Sequence, residues 1–448
     1  MMSNPRAASA RGGNACGNPD HWDAMRVCPA QPDGLGADAA VPEGSRTELL
    51  APAGDMERLD TALRFGADAV YLGGPKLQLR SGSTGFSMDD LETAVKRTHD
   101  RGRKLYVTVN AFPNNAEVSE IGDYAQALYE LGADAAIVAD LGAIAAIRRA
   151  APGLDVHVST QANCLNYMAA RVYCDMGATR VVLGREMTLD QIAELRAKTP
   201  PELELEAFVH GAMCMAYSGR CMISAYLADR SANRGACTQS CRWTYHLMEE
   251  KRPGEYFPVE EDDRGMTILS SFDLNCLDFL DQIMAAGVTS FKIEGRMKSP
   301  YYVATVVNAY RRRIDDLLSG TATAERTARL QRELHCASHR AYAGGFYFGA
   351  MKKHAPDDGI YWQDCIFAGI VRSVLPGGRI RVEQRNRIFR GDWIEVLSPL
   401  SLGLTFRADH ITDPDGKPLD AVVVPGTVFD MDAPSDVCAG DILRIRKQ

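Results

Sequence analysis

The sequence lacks any apolar run of the roughly 20 residues that a membrane-spanning helix needs, so no membrane partner is expected. It also lacks an apolar signal segment near its start, because residues 1–45 are mostly small or polar and show no periodicity. Such a stretch predicts a disordered N-terminal extension, and the missing signal segment predicts a cytoplasmic protein. With 448 residues and 46% hydrophobic content, one large domain and a smaller one are expected.

Basic residues are not in excess, since 50 Lys and Arg stand against 58 Asp and Glu and give a net charge of −8. This balance argues against broad, sequence-independent binding of nucleic acid, although a local basic patch is compatible with it. Two protease motifs are absent as well: the His-Glu-x-x-His of zinc proteases and the Gly-x-Ser-x-Gly elbow of serine hydrolases. Their absence counts against both of those classes of peptidase.

The 12 cysteines are unevenly placed, and four of them lie within 28 residues: Cys214, Cys221, Cys237 and Cys241. In a cytoplasmic protein, clustered thiols indicate a metal site rather than disulfides. The spacing Cys-x6-Cys-x15-Cys-x3-Cys is wider than the paired thiols of zinc knuckles and favours a [4Fe–4S] cluster. Zinc is the alternative, and a site without metal stays open. Cys214, Cys221 and Cys237 are the firm candidate ligands, and the fourth is Cys241 or Cys276.

Short apolar runs alternate with helix-period segments from residue 47 onward. Strands that alternate with helices predict a parallel sheet, and eight of them predict a closed (β/α)8 TIM-like barrel over residues 46–320. A doubly wound open sheet is the rival, but no early Gly-x-Gly-x-x-Gly turn supports it. Four joints between helix and strand carry a glycine suited to a left-handed turn. The strand candidates are 48–50, 69–72, 105–109, 135–138, 156–159, 180–183, 203–209 and 290–293.

The interval between the last two strand candidates, about residues 210–289, is far too long for one crossover helix. This insertion holds the clustered cysteines. Because the reactive face of such a barrel lies at the carboxyl ends of its strands, an insertion after the seventh strand is expected above that face. Residues 321–364 are predicted to be a connector. From 365 to 448, alternating apolar and polar residues with turn residues between them predict a small antiparallel β-barrel.

Polar residues near the strand ends are the candidates for chemistry. His210 is a candidate acid/base group, with a packed histidine as the alternative. Glu206 and Glu294 are candidate catalytic carboxylates, but Glu206 could be a buried structural group and Glu294 could form a salt bridge with Arg296. Gln161 is a candidate substrate-binding residue that could instead brace a loop.

Five segments resemble the signature of the peptidase U-32 (collagenase-like) family. They are LLAPAG at 49–54, VHVSTQ at 156–161, EAFVHGAMCMAYSGRCMIS at 206–224, NRGACTQSCRW at 233–243 and FKIEGRMKS at 291–299. The resemblance runs from about residue 47 to the end, and the Ser-Gly-Arg-Cys block within it is highly specific. Despite the family's name, several members are oxygen-independent hydroxylation proteins that act on tRNA, on ribosomal RNA or in ubiquinone synthesis.

The arrangement of one barrel and one C-terminal β-domain is most similar to the members that act on tRNA. The resemblance implies 5-hydroxylation of the wobble uridine of tRNA, with prephenate as co-substrate and a [4Fe–4S] cluster on the clustered cysteines. A peptidase acting on collagen-like or other peptides is the alternative, although a cysteine nucleophile would need one activated thiol rather than four clustered ones. A binding or assembly protein in quinone synthesis is a third possibility.

Prephenate carries two carboxylates, which the forked guanidinium group of arginine suits. The resemblance therefore implies substrate contacts from Arg80, Arg185 and Arg296, each of which could instead form a structural ion pair. RNA phosphates would be bound by an arginine-rich stretch of the C-terminal domain, with a solvated surface as the alternative. The candidate RNA-binding residues are Arg379, Arg381, Arg385 and Arg387.

Overall fold

The computed structural model describes residues 47–79, 85–213, 219, 221, 223–228, 230, 232–240, 261–262, 265–266, 272–349 and 361–447. The described part of the chain that precedes residue 350 contains both strands and helices. The strands there are β1 (Glu48–Pro52), β2 (Ala69–Gly73), β3 (Lys104–Val109), β4 (Ala135–Val138), β5 (Asp155–Val158), β6 (Arg180–Val182), β7 (Glu204–Ala212), β8 (Glu261–Asp262), β9 (Gly265–Met266), β10 (Asp273–Asn275), β11 (Ser290–Ile293) and β12 (Tyr342–Ala343). The helices are α1 (Met56–Arg64), α2 (Met88–His99), α3 (Asn115–Val118), α4 (Ile121–Glu130), α5 (Leu141–Ala150), α6 (Tyr167–Asp175), α7 (Leu189–Ala197), α8 (Ile223–Ala228), α9 (Leu280–Ala285), α10 (Pro300–Leu318) and α11 (Ala324–Leu334).

Eight parallel strands close a barrel, as the alternating pattern predicts. β1 to β7 pair in chain order, and β11 pairs with both β7 and β1, so the sheet has no edge between them. Each strand buries nearly all its residues because helices cover its outer face and the other strands its inner face. The glycines at the four predicted joints, Gly66, Gly132, Gly177 and Gly287, have φ of 102°, 85°, 88° and 94°, which confirms the left-handed turns.

Two short strands extend the barrel sheet beyond its eight members. β10, which lies within the insertion, pairs antiparallel with the end of β7. β12 pairs in turn with β10. Residues 321–364 therefore contribute helix α11 and a strand, and are more than the simple connector that the sequence predicts.

The C-terminal domain is a curled antiparallel sheet around its own apolar core, in agreement with the predicted β-domain. The strands are β13 (Cys365–Leu375), β14 (Arg379–Gln384), β15 (Ile388–Phe389), β16 (Trp393–Leu397), β17 (Leu404–Arg407), β18 (Ile411–Thr412), β19 (Pro418–Leu419), β20 (Ala421–Val422), β21 (Val428–Asp432) and β22 (Ile442–Arg446). Eight strands pair in the order β17–β16–β22–β13–β14–β21–β18–β19, and β15 pairs with β20. The alternating pattern over residues 405–411 predicts one strand, but the structure divides it, because β17 ends before β18 starts.

Ion pairs connect the C-terminal domain to the outer helices of the barrel. Arg64 of α1 lies 2.5 Å from Asp441, and Arg444 of β22 lies 2.9 Å from Glu333 of α11. Arg444 is almost fully buried, so this contact is shielded from water. None of the helices in the described part of the chain combines the length and apolarity that a bilayer crossing demands.

Candidate active site

A buried network of charges fills the lower interior of the barrel. Arg180 of β6 lies 2.6 Å from Glu48 of β1, 2.6 Å from Glu204 and 3.1 Å from Glu206 of β7. Lys292 of β11 lies 2.7 Å from Glu206. The Glu206 side chain has no exposed surface. The structure thus places the carboxylate of Glu206 between the cations of Arg180 and Lys292. This position agrees with the alternative that Glu206 is a buried structural group. Its catalytic role stays a prediction.

Burial and the neighbouring charge shift the pKa of the Glu48 carboxyl in opposite directions. Burial alone would raise the pKa of its carboxyl, but the attraction of Arg180 and the hydrogen bonds from Arg180, Tyr106 and Ser290 outweigh it and hold the pKa below its ordinary value. The carboxylate is therefore ionised at neutral pH. Glu48 therefore serves as an ion-pair partner of Arg180 rather than as a proton donor.

His157, on β5, is an interior residue that sequence reasoning missed. Its Nδ1 is buried without a hydrogen-bond partner in the described structure, and its ring packs edge-on against Tyr106 at 4.6 Å. Burial, with the charges of Arg180 and Lys292, holds the pKa of His157 well below its ordinary value. The imidazole is therefore neutral at physiological pH. Strand alternation, which turns every second residue inward, is the signal that could have found it.

Two of the predicted substrate-binding arginines lie at the mouth, at the carboxyl ends of β6 and β11. Arg296 Nη1 donates to Gln78 Oε1 and to Thr108 Oγ1, each at 3.2 Å. Arg185 Nη1 donates to the carbonyl of Ala212 at 2.7 Å. The two side chains are largely buried, Arg296 at 7% exposed and Arg185 at 13%.

Glu294 forms an ion pair with Arg185 at the mouth, with 3.6 Å between Arg185 Nη2 and Glu294 Oε2. The Arg185 guanidinium also stacks over the ring of Phe208, 3.8 Å from its centroid, which holds it flat against the barrel wall. The Arg185 guanidinium and the Glu294 carboxylate are thus two largely buried, oppositely charged groups side by side at the mouth.

Asn110 follows β3 and has an unsatisfied acceptor. Its Nδ2 donates to Ser159 Oγ at 3.3 Å, while its Oδ1 is buried without a partner in the described structure. The residue is only 9% exposed, so the missing hydrogen bond has a cost. Gln161 is half-buried close by, and its backbone N–H donates to the same Ser159 hydroxyl at 3.3 Å. A bound molecule with a hydroxyl or N–H group would satisfy the Asn110 oxygen.

His210 lies on the helix side of β7, away from the barrel axis. Its Nδ1 is 3.4 Å from the hydroxyl of Tyr310 and its Nε2 is 3.4 Å from that of Tyr342. Burial lowers the pKa of His210 to about 3, although Asp273 opposes the shift. This closed aromatic setting agrees with the packed-histidine interpretation. Its catalytic role stays a prediction.

The described residues of the insertion around Gly219 and Arg234 lie over the mouth, as the position of the insertion after the seventh strand predicts. Arg234 donates to the carbonyl of Phe112, after β3, at 2.7 Å and lies 3.1 Å from Glu117. Gly219 sits so close to Gln161 that an added Cβ would lie 2.0 Å from that residue's carbonyl oxygen. A cavity of about 360 Å³ lies beside Arg234, and its lining includes Gln78 and Phe112.

Three of the five candidate cysteine ligands fall within the described residues. Cys221 is half-buried and Cys237 is exposed; Cys237 Sγ accepts the backbone N–H of Gln239 at 3.4 Å. Cys276 is fully buried, and burial raises the pKa of its thiol well above the ordinary value. In the described part of the chain, no three His, Cys, Asp or Glu side chains are grouped to hold a metal. Cys214 and Cys241, like Arg80, lie outside the described residues.

Two of the predicted RNA-binding arginines pair with one neighbouring strand. Arg381 of β14 forms a two-pronged contact with Asp430 of β21, at 2.8 and 2.9 Å. Arg379 lies 3.3 Å from Asp432. These contacts agree with the solvated-surface alternative, since the phosphate-binding groups are already engaged.

The other two predicted RNA-binding arginines differ from one another. Arg385 pairs with Glu57 of α1 and lies 3.1 Å from Glu383, so it joins the two domains. Arg387 is exposed, and among the described residues it has no ion-pair partner. An RNA contact stays a prediction for all four, and Arg387 is the best placed to make it.

The fold and site define a (β/α)8-barrel protein with a polar mouth under a cysteine-bearing insertion. The model of peptidase family U32 matches residues 54–356, and the model of the family's C-terminal domain matches residues 363–444. The chain therefore belongs to peptidase family U32, which confirms the resemblance seen in the sequence motifs.

Three relatives illustrate the range of names in the family. The chain is 33% identical to tRNA hydroxylation protein P of Escherichia coli over 438 residues, 88% of this chain and 95% of the relative. It is 36% identical to tRNA hydroxylation protein P1 of Bacillus subtilis over 383 residues, 85% of this chain and 90% of the relative. It is 35% identical to a collagenase of Porphyromonas gingivalis over 312 residues, 67% of this chain and 73% of the relative.

Proposed function

We propose that this protein is a cytoplasmic enzyme that hydroxylates RNA, and that its substrate is the wobble uridine of tRNA, modified at carbon 5 without oxygen. The observation that carries the proposal is the match to two tRNA hydroxylation proteins over nine tenths or more of their length, barrel and β-domain together. A match that spans both domains supports a shared activity better than a match to the barrel alone, because barrels host many chemistries.

Prephenate is the proposed hydroxyl donor. Arg185 and Arg296 supply two guanidinium groups at the mouth, and a dicarboxylate needs such a pair. The unsatisfied Asn110 oxygen would accept the hydroxyl of prephenate or the N–H of uracil. Glu294, 19% exposed beside Arg185, is the carboxylate best placed to move a proton there.

A [4Fe–4S] cluster is the proposed cofactor, with zinc as the alternative. Cys214, Cys221 and Cys237 would hold it, together with Cys241 or Cys276. The donor chemistry suits a cluster, because Cys237 sulfur already accepts an N–H and thiolates bind iron. A buried thiol such as Cys276 would ionise only as metal binds. When bound, such a cluster transfers electrons, offers an open iron to substrate or orders the insertion.

Mass analysis of tRNA tests the proposal. A strain deleted for the gene is expected to lose 5-hydroxylated wobble uridine and to regain it when this chain is expressed. Hydroxylation that persists in the deletion strain would reject the function. Iron, sulfide and zinc assays on protein purified without oxygen test the cofactor: about four irons per chain are expected, and stoichiometric zinc without sulfide would contradict the cluster.

A peptidase is the second candidate function, and the similarity to a collagenase favours it. Against it stands the absence of the zinc-protease and serine-hydrolase motifs from the sequence. Cleavage of gelatin by purified, metal-free protein would support the peptidase. No cleavage together with restored tRNA hydroxylation would leave RNA modification as the activity.

A further inference from the structure

Two exposed aromatic side chains stand among arginines at one end of the C-terminal domain. Trp393 is 65% exposed and Phe389 is 48% exposed, and these are the two most exposed aromatic residues in the described part of the chain. They flank the turn between β15 and β16. We call this the aromatic–arginine surface, and it consists of Arg387, Phe389, Arg390, Trp393 and Arg407.

The backbone of the surface is held in place by hydrogen bonds. Trp393 and Arg407 are directly opposite one another in the β16–β17 pair, so their side chains are neighbours. Arg407 Nε donates to the carbonyl of Gly391 at 3.1 Å. The N–H of Phe389 donates to Asp392 Oδ2 at 2.7 Å. The backbone segments that carry the two rings are therefore held in place by strand pairing and hydrogen bonds.

The arginines of the aromatic–arginine surface can contact a bound anion, because their ion pairs are longer and more exposed than the close pair of Arg381 with Asp430. Arg390 lies 3.7 Å from Asp420, with the two side chains 59% and 95% exposed. Arg407 lies 3.5 Å from Asp409, at 57% and 54% exposed. Long ion pairs in water contribute little, so a phosphate can replace these carboxylates. The Arg387 guanidinium has no ion-pair partner among the described residues.

We propose that the aromatic–arginine surface binds an unpaired segment of the tRNA, with Trp393 stacking on a base and the arginines contacting phosphates. This inference rests on the proposed function. Exposed aromatics interleaved with cations are how proteins bind single-stranded nucleic acid, because every base has a face to stack on. Three of these five residues are cationic, and several guanidinium groups around two aromatic rings suit a chain of phosphates whose unpaired bases can stack.

The proposal can be tested with the full-length protein and unmodified tRNA transcript, by filter binding at several salt concentrations. Trp393→Ala is expected to weaken binding about tenfold, while Trp393→Phe keeps most of the affinity because it keeps a stacking face. Arg387→Gln is expected to lower the slope of log affinity against log salt by about one. Leu400→Ala is the matched control, since Leu400 is 74% exposed in the same domain.

Each outcome bears on one proposal. Wild-type affinity for Trp393→Ala across the salt range would overturn the inference, and so would unchanged tRNA binding with an altered oligomeric mass, which would assign the surface to a protein contact. If the wild-type chain restores wobble hydroxylation but Trp393→Ala binds normally, only this inference fails. If the wild-type chain neither binds tRNA nor restores hydroxylation, the proposed function fails. Melting temperatures equal to wild type are expected for all the variants, because the side chains of Trp393, Arg387 and Leu400 are exposed.

Discussion

Replacing Glu206 by Gln separates a structural from a catalytic role for this residue. The carboxylate accepts from Lys292 at 2.7 Å and from Arg180 at 3.1 Å, with no surface exposed to water. The amide of Gln can still accept from Lys292, but its NH₂ group would then face the donors of Arg180. Lys292, only 5% exposed, would lose the one carboxylate that it contacts among the described residues.

The expected cost is about 3–5 kcal/mol of unfolding free energy, since removing one partner of a buried ion pair leaves an uncompensated charge. Glu204→Gln is the matched control on the same strand. Its side chain is 30% exposed, so water can replace the lost contact with Arg180, and a loss of about 1 kcal/mol is expected.

Urea unfolding of both variants, followed by circular dichroism, measures the difference. The structural reasoning requires Glu206→Gln to be the less stable of the two by about 2 kcal/mol or more. A Glu206→Gln protein as stable as wild type but unable to restore wobble hydroxylation would refute it and would establish the catalytic role instead.

Three further predictions concern the cofactor, the mouth and pH. Cys237→Ser is expected to lower the iron content of anaerobically purified protein, whereas Cys438→Ser in the C-terminal domain leaves it unchanged; equal iron in both would contradict the ligand assignment. Asn110→Ala is expected to raise the KM for prephenate or tRNA with less than about 1 kcal/mol of lost stability, since it removes one long hydrogen bond; an unchanged KM would argue for loop bracing. Because the folded pKa of Glu48 is lowered, its stabilisation is present above the ordinary value of 4.5 and is lost as pH falls through the folded value. Unfolding free energies should therefore drop with acid more steeply in wild type than in Glu48→Gln, and parallel profiles would count against the Arg180 pairing.

The eight barrel strands were predictable because each is a short apolar run. Each run either follows a glycine turn or ends in a polar turn. Their bounds agree with the structure to within three residues at either end. The sequence analysis does not predict the strand Val428–Asp432, because aspartate is disfavoured in strands and its two aspartates mask the alternation of apolar and polar residues. Asp430 is nevertheless 5% exposed, since Arg381 on the next strand neutralises it.

For the candidate site, too, one part was predictable from the sequence and another part was not. The location of Gly219 and Arg234, in the described part of the insertion, above the mouth was predictable from chain order alone, because the carboxyl end of every parallel barrel strand lies at one face. The side-chain partners did not follow. Arg381 and Asp430 are 49 residues apart in the chain, and Glu57 and Arg385 are 328 apart, so no local pattern connects them.

What the sequence determined by itself is the periodic framework: eight apolar runs, an interruption rich in cysteine and a β-domain, each set by local hydrophobicity and turn residues. What the tertiary structure decided is which side chains meet. A shift of register between β7 and β11 at Lys292 and Ile293 accompanies the turn of His210 toward α10, and pairing across the sheet engages arginines that look free in the sequence. Those outcomes depend on distances between remote segments, which only the closed barrel and the curled sheet bring within reach.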